Sequence, residues 1–318
     1  MSMAAARAMV AAEQARPAKG RSLAMRLWQH RHFYLFISPF FISFAILGVY
    51  PLIASLKYSL LQWDGLTAPQ YVGLENYRKL LSDPRFFQSL WNTAALYVLH
   101  VPLMLALAFL FAVGLNGPVT RLRALFRGAL FIPSVTPMVV IALVFALLYN
   151  VESGMFNAVL RWIIKPLYPE FNGLLWRESP GMVKPSIAIL LIWRWTGYNM
   201  VLMLAGLQGI PHDVYEAARV DGAGRLQVLT RITLPLMRPT FIFCAVMSLM
   251  GTVYAFDEIF VLTGAGPGGS ARNIGLLLFE VSFSDFRFGY ASALAYTIAG
   301  IIFVLTIGVF RLSRRGNS

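Results

Sequence analysis

Six long apolar runs dominate the chain, from about Phe33 to Leu56, Thr93 to Leu115, Ala124 to Tyr149, Ser186 to Leu207, Thr240 to Leu262 and Tyr290 to Phe310. At about 1.5 Å per helical residue each can cross a hydrocarbon core of roughly 30 Å, so the pattern predicts six transmembrane helices. One stretch between the fourth and fifth runs departs from it. Ile210 to Pro239 is amphipathic and charged. Pro211 suits a first helical position, Asp213 and Glu216 place negative charge near the helix's positive end, and Gly222 is a natural stop. A helix from Pro211 to Asp221 follows, with Val214, Ala217, Ala218 and Asp221 along one side. Two adjacent alanines let another surface approach closely. Beyond Gly222 and Gly224, Arg225, Arg231 and Arg238 with Pro235 and Pro239 make a basic second half. On physics alone the stretch reads as a helix-turn-helix, with an ordinary membrane-surface connector as the plain alternative.

Composition strengthens the membrane reading. Hydrophobic residues make up 58% of the 318 positions and charged ones 13%, with a mean hydropathy of +0.65. That is too apolar for a soluble domain. With the N-terminus inside, the inner segments hold 16 of the 27 Lys and Arg, the outer segments hold 10 in a greater length of sequence, and Arg194 is the last. The bias favours a cytoplasmic N-terminus and C-terminus, which puts Ile210 to Pro239 on the cytoplasmic face. The net charge of +13 is then largely a cytoplasmic excess and implies no nucleic acid. The expected organisation is a basic tail at 1–32, a membrane domain at 33–311 and a basic tail at 312–318. The first tail lacks the continuous apolar core of a cleaved signal peptide and reads as a topological anchor.

Catalytic patterns are absent from the sequence. No Gly-Lys pair exists, so there is no P-loop for ATP, and neither H-E-x-x-H nor G-x-S-x-G occurs. His30, His32, His100 and His212 lack ligand spacing, and Cys244 is a lone cysteine within a span. Gly264, Gly266 and Gly269 satisfy G-x-G-x-x-G, but Pro267 lies inside the motif and no βαβ unit surrounds it. A tight external turn is the better reading.

Glu216-Ala217-Ala218, Gly222 after three residues, and Ile232, Leu234 and Pro235 after nine more resemble the EAA loop of permease subunits of binding-protein-dependent ABC importers. Gly73-Leu74-Glu75-Asn76-Tyr77, Asn92-Thr93 and the Gly-Pro turn at 264–269, with Ala265 in place of one glycine, resemble further signatures of the sugar-importing branch. The resemblance implies an all-α integral membrane protein of six transmembrane helices, with the type I ABC importer permease fold and a cytoplasmic coupling helix. It implies a multi-pass protein of a prokaryotic cytoplasmic (inner) membrane. The implied partners are two ATP-binding subunits carrying ATP and Mg, a second homologous permease, and an extracytoplasmic solute-binding protein. This chain itself would bind no cofactor. Glu216, Ala217, Ala218, Asp221 and Gly222 would form the contact with the ATPase. The external loop at 150–185 is too short for the large external domain of the maltose-transporter subunit.

Polar residues within the apolar runs suggest a pathway. Arg194 at mid-depth would cost roughly 2.5–3.5 kcal/mol if it faced lipid, so it should face protein, water or a carboxylate. Asp257 and Glu258 lie near the outer end of the fifth run, with Asn199, Ser248, Thr252 and Tyr254 at similar depth. Either Arg194 pairs with an acid to hold helices together, or these groups line a hydroxyl-rich solute path. Laid along the maltose-transporter subunit by the EAA and Gly-Pro landmarks, the positions that resemble its sugar contacts are Trp195, Asn199, Ser248, Gly251 and Thr252, and Tyr254 joins them in the candidate substrate path. The alternative is a proton-coupled secondary transporter using Asp257 and Glu258 as a relay against Arg194. A membrane-bound glycosyltransferase would need a larger loop than any present.

Overall fold

The computed structural model describes residues 31–117 and 123–315; the expected tails at 1–32 and 312–318 lie partly outside the described residues. The chain divides into two units, Met1–Ser55 and Leu56–Ser318. In the first, α1 (Arg31–Phe44) passes through a π turn (Ala45–Val49) into the start of α2 (Tyr50–Ser59). Its side chains stand outward almost throughout, Leu35 at 75% and Phe36 at 88% exposure. Ser38 returns its hydroxyl to the Leu35 carbonyl at 2.8 Å. A helix apolar on every side is suited to hydrocarbon.

The second unit opens with a two-residue antiparallel ribbon, β1 (Leu61–Gln62) against β2 (Gln70–Tyr71), the one departure from all-α architecture among the described residues. α3 (Glu75–Ser82) leads to α4 (Pro84–Asn116). α4 starts sharply because the Asp83 carboxylate accepts the Arg85 N–H at 2.8 Å and Pro84 stands where an N–H would have no partner. α5 (Arg123–Val135), α6 (Met138–Leu148), α7 (Met155–Ile164) and α8 (Val183–Gln208) follow, then α9 (His212–Val220), α10 (Arg238–Val253), α11 (Phe256–Thr263), α12 (Ile274–Phe279) and α13 (Phe288–Arg315).

The most extensive helix contact is between α4 and α8, with α10 packed against both. Ala108 and Ala112 on α4 are fully buried, and their small side chains admit the methionines Met200 and Met203 of α8. A second core joins α6, α8 and α11 through Ile141, Phe145, Leu190 and Ile259, and a third ties α12 and α13 to Leu80 and Phe86.

Four helical runs among the described residues are long and apolar enough to cross a membrane: His32–Ser59, Pro84–Asn116, Val183–Gln208 and Phe288–Val309. Two bent pairs raise the number to six if each is one span. Within two of the expected spans the helix is interrupted. The run Ala124 to Tyr149 is α5 and α6, bent by 96° at Thr136 and Pro137. Pro137 has no N–H to continue the ladder, and it disfavours helical geometry at the residue before it. The run Thr240 to Leu262 stops at Val253 and restarts at Phe256. Asn273 makes that break stable. Its amide nitrogen donates to the carbonyls of Thr252, Val253 and Ala255 at 3.0, 3.4 and 3.2 Å, while its oxygen accepts the Leu276 N–H and so caps α12.

Candidate functional site

The segment 210–239 follows directly from α8. Pro211 is extended at ψ 139°, so it caps α9 instead of beginning it, and the helix is one residue shorter at each end than expected. Asp213 stands in the first turn, while Glu216 lies 3.1 Å from His212 Nδ1, both largely exposed. Gly222 closes the helix at φ 76°, which lets the Ala223 N–H reach the Ala218 carbonyl at 2.9 Å. The single stripe expected from sequence is split. Ala218 is buried and Val214 half-buried, whereas Ala217 and Asp221 turn outward beside Asp213, Glu216 and Val220. The outward face of α9 is thus acidic around a small apolar centre. The basic half returns as a helical turn (Arg225–Gln227), a π turn (Val228–Thr233) and a second turn (Leu234–Leu236). It is tied to α9 by the Thr233 hydroxyl, which donates to the Tyr215 oxygen at 3.4 Å.

A cavity of about 290 Å³ opens between α4, α8 and α10. Trp195, Asn199, Ser248, Gly251, Thr252 and Tyr254, the six path residues singled out from sequence, all line it. Helical spacing explains the convergence. Trp195 and Asn199 are one turn apart on α8, as are Ser248 and Thr252 on α10, so each pair shares a face. Asn199 is buried, with its amide nitrogen committed to the Trp195 carbonyl at 3.0 Å and near Met104 Sδ at 3.7 Å. The Thr252 hydroxyl donates to the Ser248 carbonyl at 2.7 Å. Tyr198 completes the wall together with His100, Met104, Leu191, Met247 and Met250, which sequence reasoning missed. His100 was detectable as a polar residue inside an apolar run; the methionines carried no signal. The Nδ1 of His100 lies 2.7 Å from the Leu96 carbonyl, which accepts its proton.

The model of the family described as binding-protein-dependent transport system inner membrane component matches residues 104–315. The chain belongs to that family. It is 35% identical to an arabinooligosaccharides transport system permease protein of Halalkalibacterium halodurans, over 86% of this chain and 85% of the relative. It is 32% identical to a lactose transport system permease protein of Rhizobium radiobacter, over 88% and 93%. Its fold matches a chain of a bacterial alginate ABC transporter solved with an alginate pentasaccharide-bound periplasmic protein. That match has a TM-score of 0.79 at 23% identity and covers 93% of this chain and 98% of the other. The protein is an inner-membrane permease of the ABC transporter type.

Several signatures of the permease have structural roles. Asn76 donates to the carbonyls of Ser59 and Leu61 at 2.9 and 2.8 Å, and the Tyr77 hydroxyl reaches Ser59 Oγ at 2.9 Å. Asn92 donates to the carbonyls of Gly269 and Arg272, and Thr93 Oγ1 accepts the Ile274 N–H. These bonds hold the Gly-Pro turn, where Gly264, Gly266, Gly268 and Gly269 all have positive φ. Ala265 does not have positive φ, so its side chain is tolerated. Of the two readings of Arg194, pairing with an acid is not seen among the described residues, and the side chain faces protein. Its Nη1 meets Met138 Sδ, its Cζ lies 5.1 Å from the Trp195 ring centre, and no described acid comes within ion-pairing distance. Glu258 is buried at 8% exposure and Asp257 is exposed, so the proposed acid–arginine relay has no direct contact.

Proposed function

We propose that this permease forms one half of the translocation path for a sugar delivered by an extracytoplasmic binding protein. It works beside a second permease and is driven by two ATP-hydrolysing subunits, one of which docks on α9. The observation that carries the reading is the cavity between α4, α8 and α10. An indole and a phenol offer planar apolar surface to a pyranose face, and Asn199, Ser248, Thr252 and Tyr254 bring amide and hydroxyl groups suited to its OH groups. At about 290 Å³ it stands at the small end of ligand pockets, which suits a half-site completed by another chain. The names of the relatives, for arabinooligosaccharides and lactose, favour the same solute class.

The outward face of α9 supports the coupling role. Glu216 is the group for a charge contact with the ATPase, Ala217 for close packing, Asp221 for the rim, and Ala218 and Gly222 for holding the helix and its bend. The Lys and Arg distribution favours a cytoplasmic position for this face and for both termini. ATP and Mg belong to the partner subunits, and their binding must favour one state of the permease over the other to drive it.

The test is substrate-stimulated ATP hydrolysis by the complex reconstituted with its candidate partners, across a panel of sugars presented by the binding protein. One sugar should stimulate hydrolysis, and Glu216→Arg should abolish the stimulation in a complex that still assembles. Hydrolysis indifferent to Glu216, or solute transport without any ATPase, would overturn the proposal.

A further inference from the structure

The short helix α7 lies in the loop between α6 and α8, at the end of α8 opposite α9. Its orientation is set from inside. Asn157, fully buried, donates to the Leu174 carbonyl at 3.0 Å and accepts from the Leu174 N–H and Trp176 Nε1 at 2.9 and 3.0 Å. Arg161 donates to the carbonyls of Val151 and Glu152 at 2.9 and 2.8 Å. Phe156 packs against Tyr149, just past the end of α6, with ring centres 5.2 Å apart. Every polar group that fixes the helix therefore lies on one side.

The other side is apolar and bare. Met155, Val159, Trp162 and Ile163 form an outward stripe that continues in Leu167 and Tyr168, with Trp162 at 80% and Leu167 at 77% exposure. No charged side chain interrupts the stripe; Glu152 and Lys165 flank it. Ten residues give a helix of only about 15 Å, half of what a crossing needs. A patch of this kind standing in water would be an aggregation liability. On α6 the exposed side chains Val139, Leu143 and Leu147 form an apolar strip that runs up to the loop holding α7. The bare face of α7 thus continues a surface already suited to hydrocarbon.

We propose that α7 lies in the plane of the bilayer, with Trp162 and Ile163 buried among the headgroups and upper acyl chains of the leaflet opposite α9. A Trp in the middle and a Tyr at the end of an otherwise aliphatic stripe match the composition of membrane interfaces, and such a helix sinks its apolar face by roughly 5–10 Å. The helix then anchors the loop that closes over the outer ends of α6 and α8. This inference stands on membrane placement alone, whatever the solute.

The experiment uses the assembled transporter in liposomes. Cys244→Ala removes the native thiol, and a nitroxide is attached at Ile163→Cys, at Ala158→Cys on the same face, or at Glu170→Cys in the exposed loop as the aqueous reference. Collision with oxygen relative to a water-soluble nickel chelate should be severalfold higher at Ile163 and Ala158 than at Glu170. Equal nickel access at all three positions would overturn the proposal. So would protection from both reagents, which means a protein covers the stripe, or protection that arises only when the solute-binding protein is added.

Discussion

Asn273 is fully buried, and its one side chain serves two elements: it satisfies the last carbonyls of α10 and starts α12. Asn273→Ala would leave several buried carbonyls without donors, at a cost of about 2 kcal/mol or more. The expected outcome is a clear fall in Tm of the purified complex. Asp64 makes a smaller, pH-dependent contribution in the loop between β1 and β2. The N–H groups of Thr67 and Leu66, with the Thr67 hydroxyl, donate to its carboxylate at 2.8, 3.0 and 2.8 Å and hold its pKa down at about 2. A depressed carboxylate supports the folded loop above the ordinary carboxylate range and loses that effect as pH falls through the folded value. Hydrogen-exchange protection of the Thr67 amide should therefore persist through mild acid and disappear near pH 2. In Asp64→Ala it should be low at every pH.

Between helices, close approach is decided by which position lacks a side chain. A Cβ at Gly197 on α8 would collide with the Leu130 carbonyl of α5, whereas one at Gly251 on α10 meets nothing within 4 Å. Gly197→Val should destabilise the fold by about 3 kcal/mol and prevent assembly. Gly251→Val should assemble normally and reduce transport by occupying the cavity, which separates a packing position from a path position. The sequence made the elements readable where apolar length alone defines them, as in α4, α8 and α13. It hid the breaks at Thr136–Pro137 and Tyr254–Ala255. Pro137 was visible but sits in an apolar run that reads as continuous, and the second break depends on Asn273, distant in sequence. The cavity was half legible. Residues of α8 and α10 followed from spacing and family resemblance, but the contribution of α4 through His100 and Met104 exists only once the three helices pack.

At the scale of the molecule the candidate coupling face and the cavity are separate surfaces, and they should fail differently. Trp195→Ala should change the ranking of sugars in the stimulation assay, because it removes a planar surface some solutes use more than others. Glu216→Arg should lower stimulation by every sugar by the same factor, because it acts after the solute has been chosen. A panel in which Glu216→Arg reorders the sugars would contradict that division. One rod connects the two surfaces. α8 carries Trp195 and Asn199 along its length and passes into α9 through Gly209 and Ile210, with no long loop to absorb motion. From Gln208 back to Asn199 is roughly 14 Å of helix, so a tilt of about 10° pivoted at the α9 end would carry Asn199 sideways by roughly 2.4 Å. Such a stroke would break a hydrogen bond to a bound hydroxyl. Trp195, further from the pivot, would sweep wider still, so a solute's grip could be released by leverage alone, with every side chain keeping its rotamer.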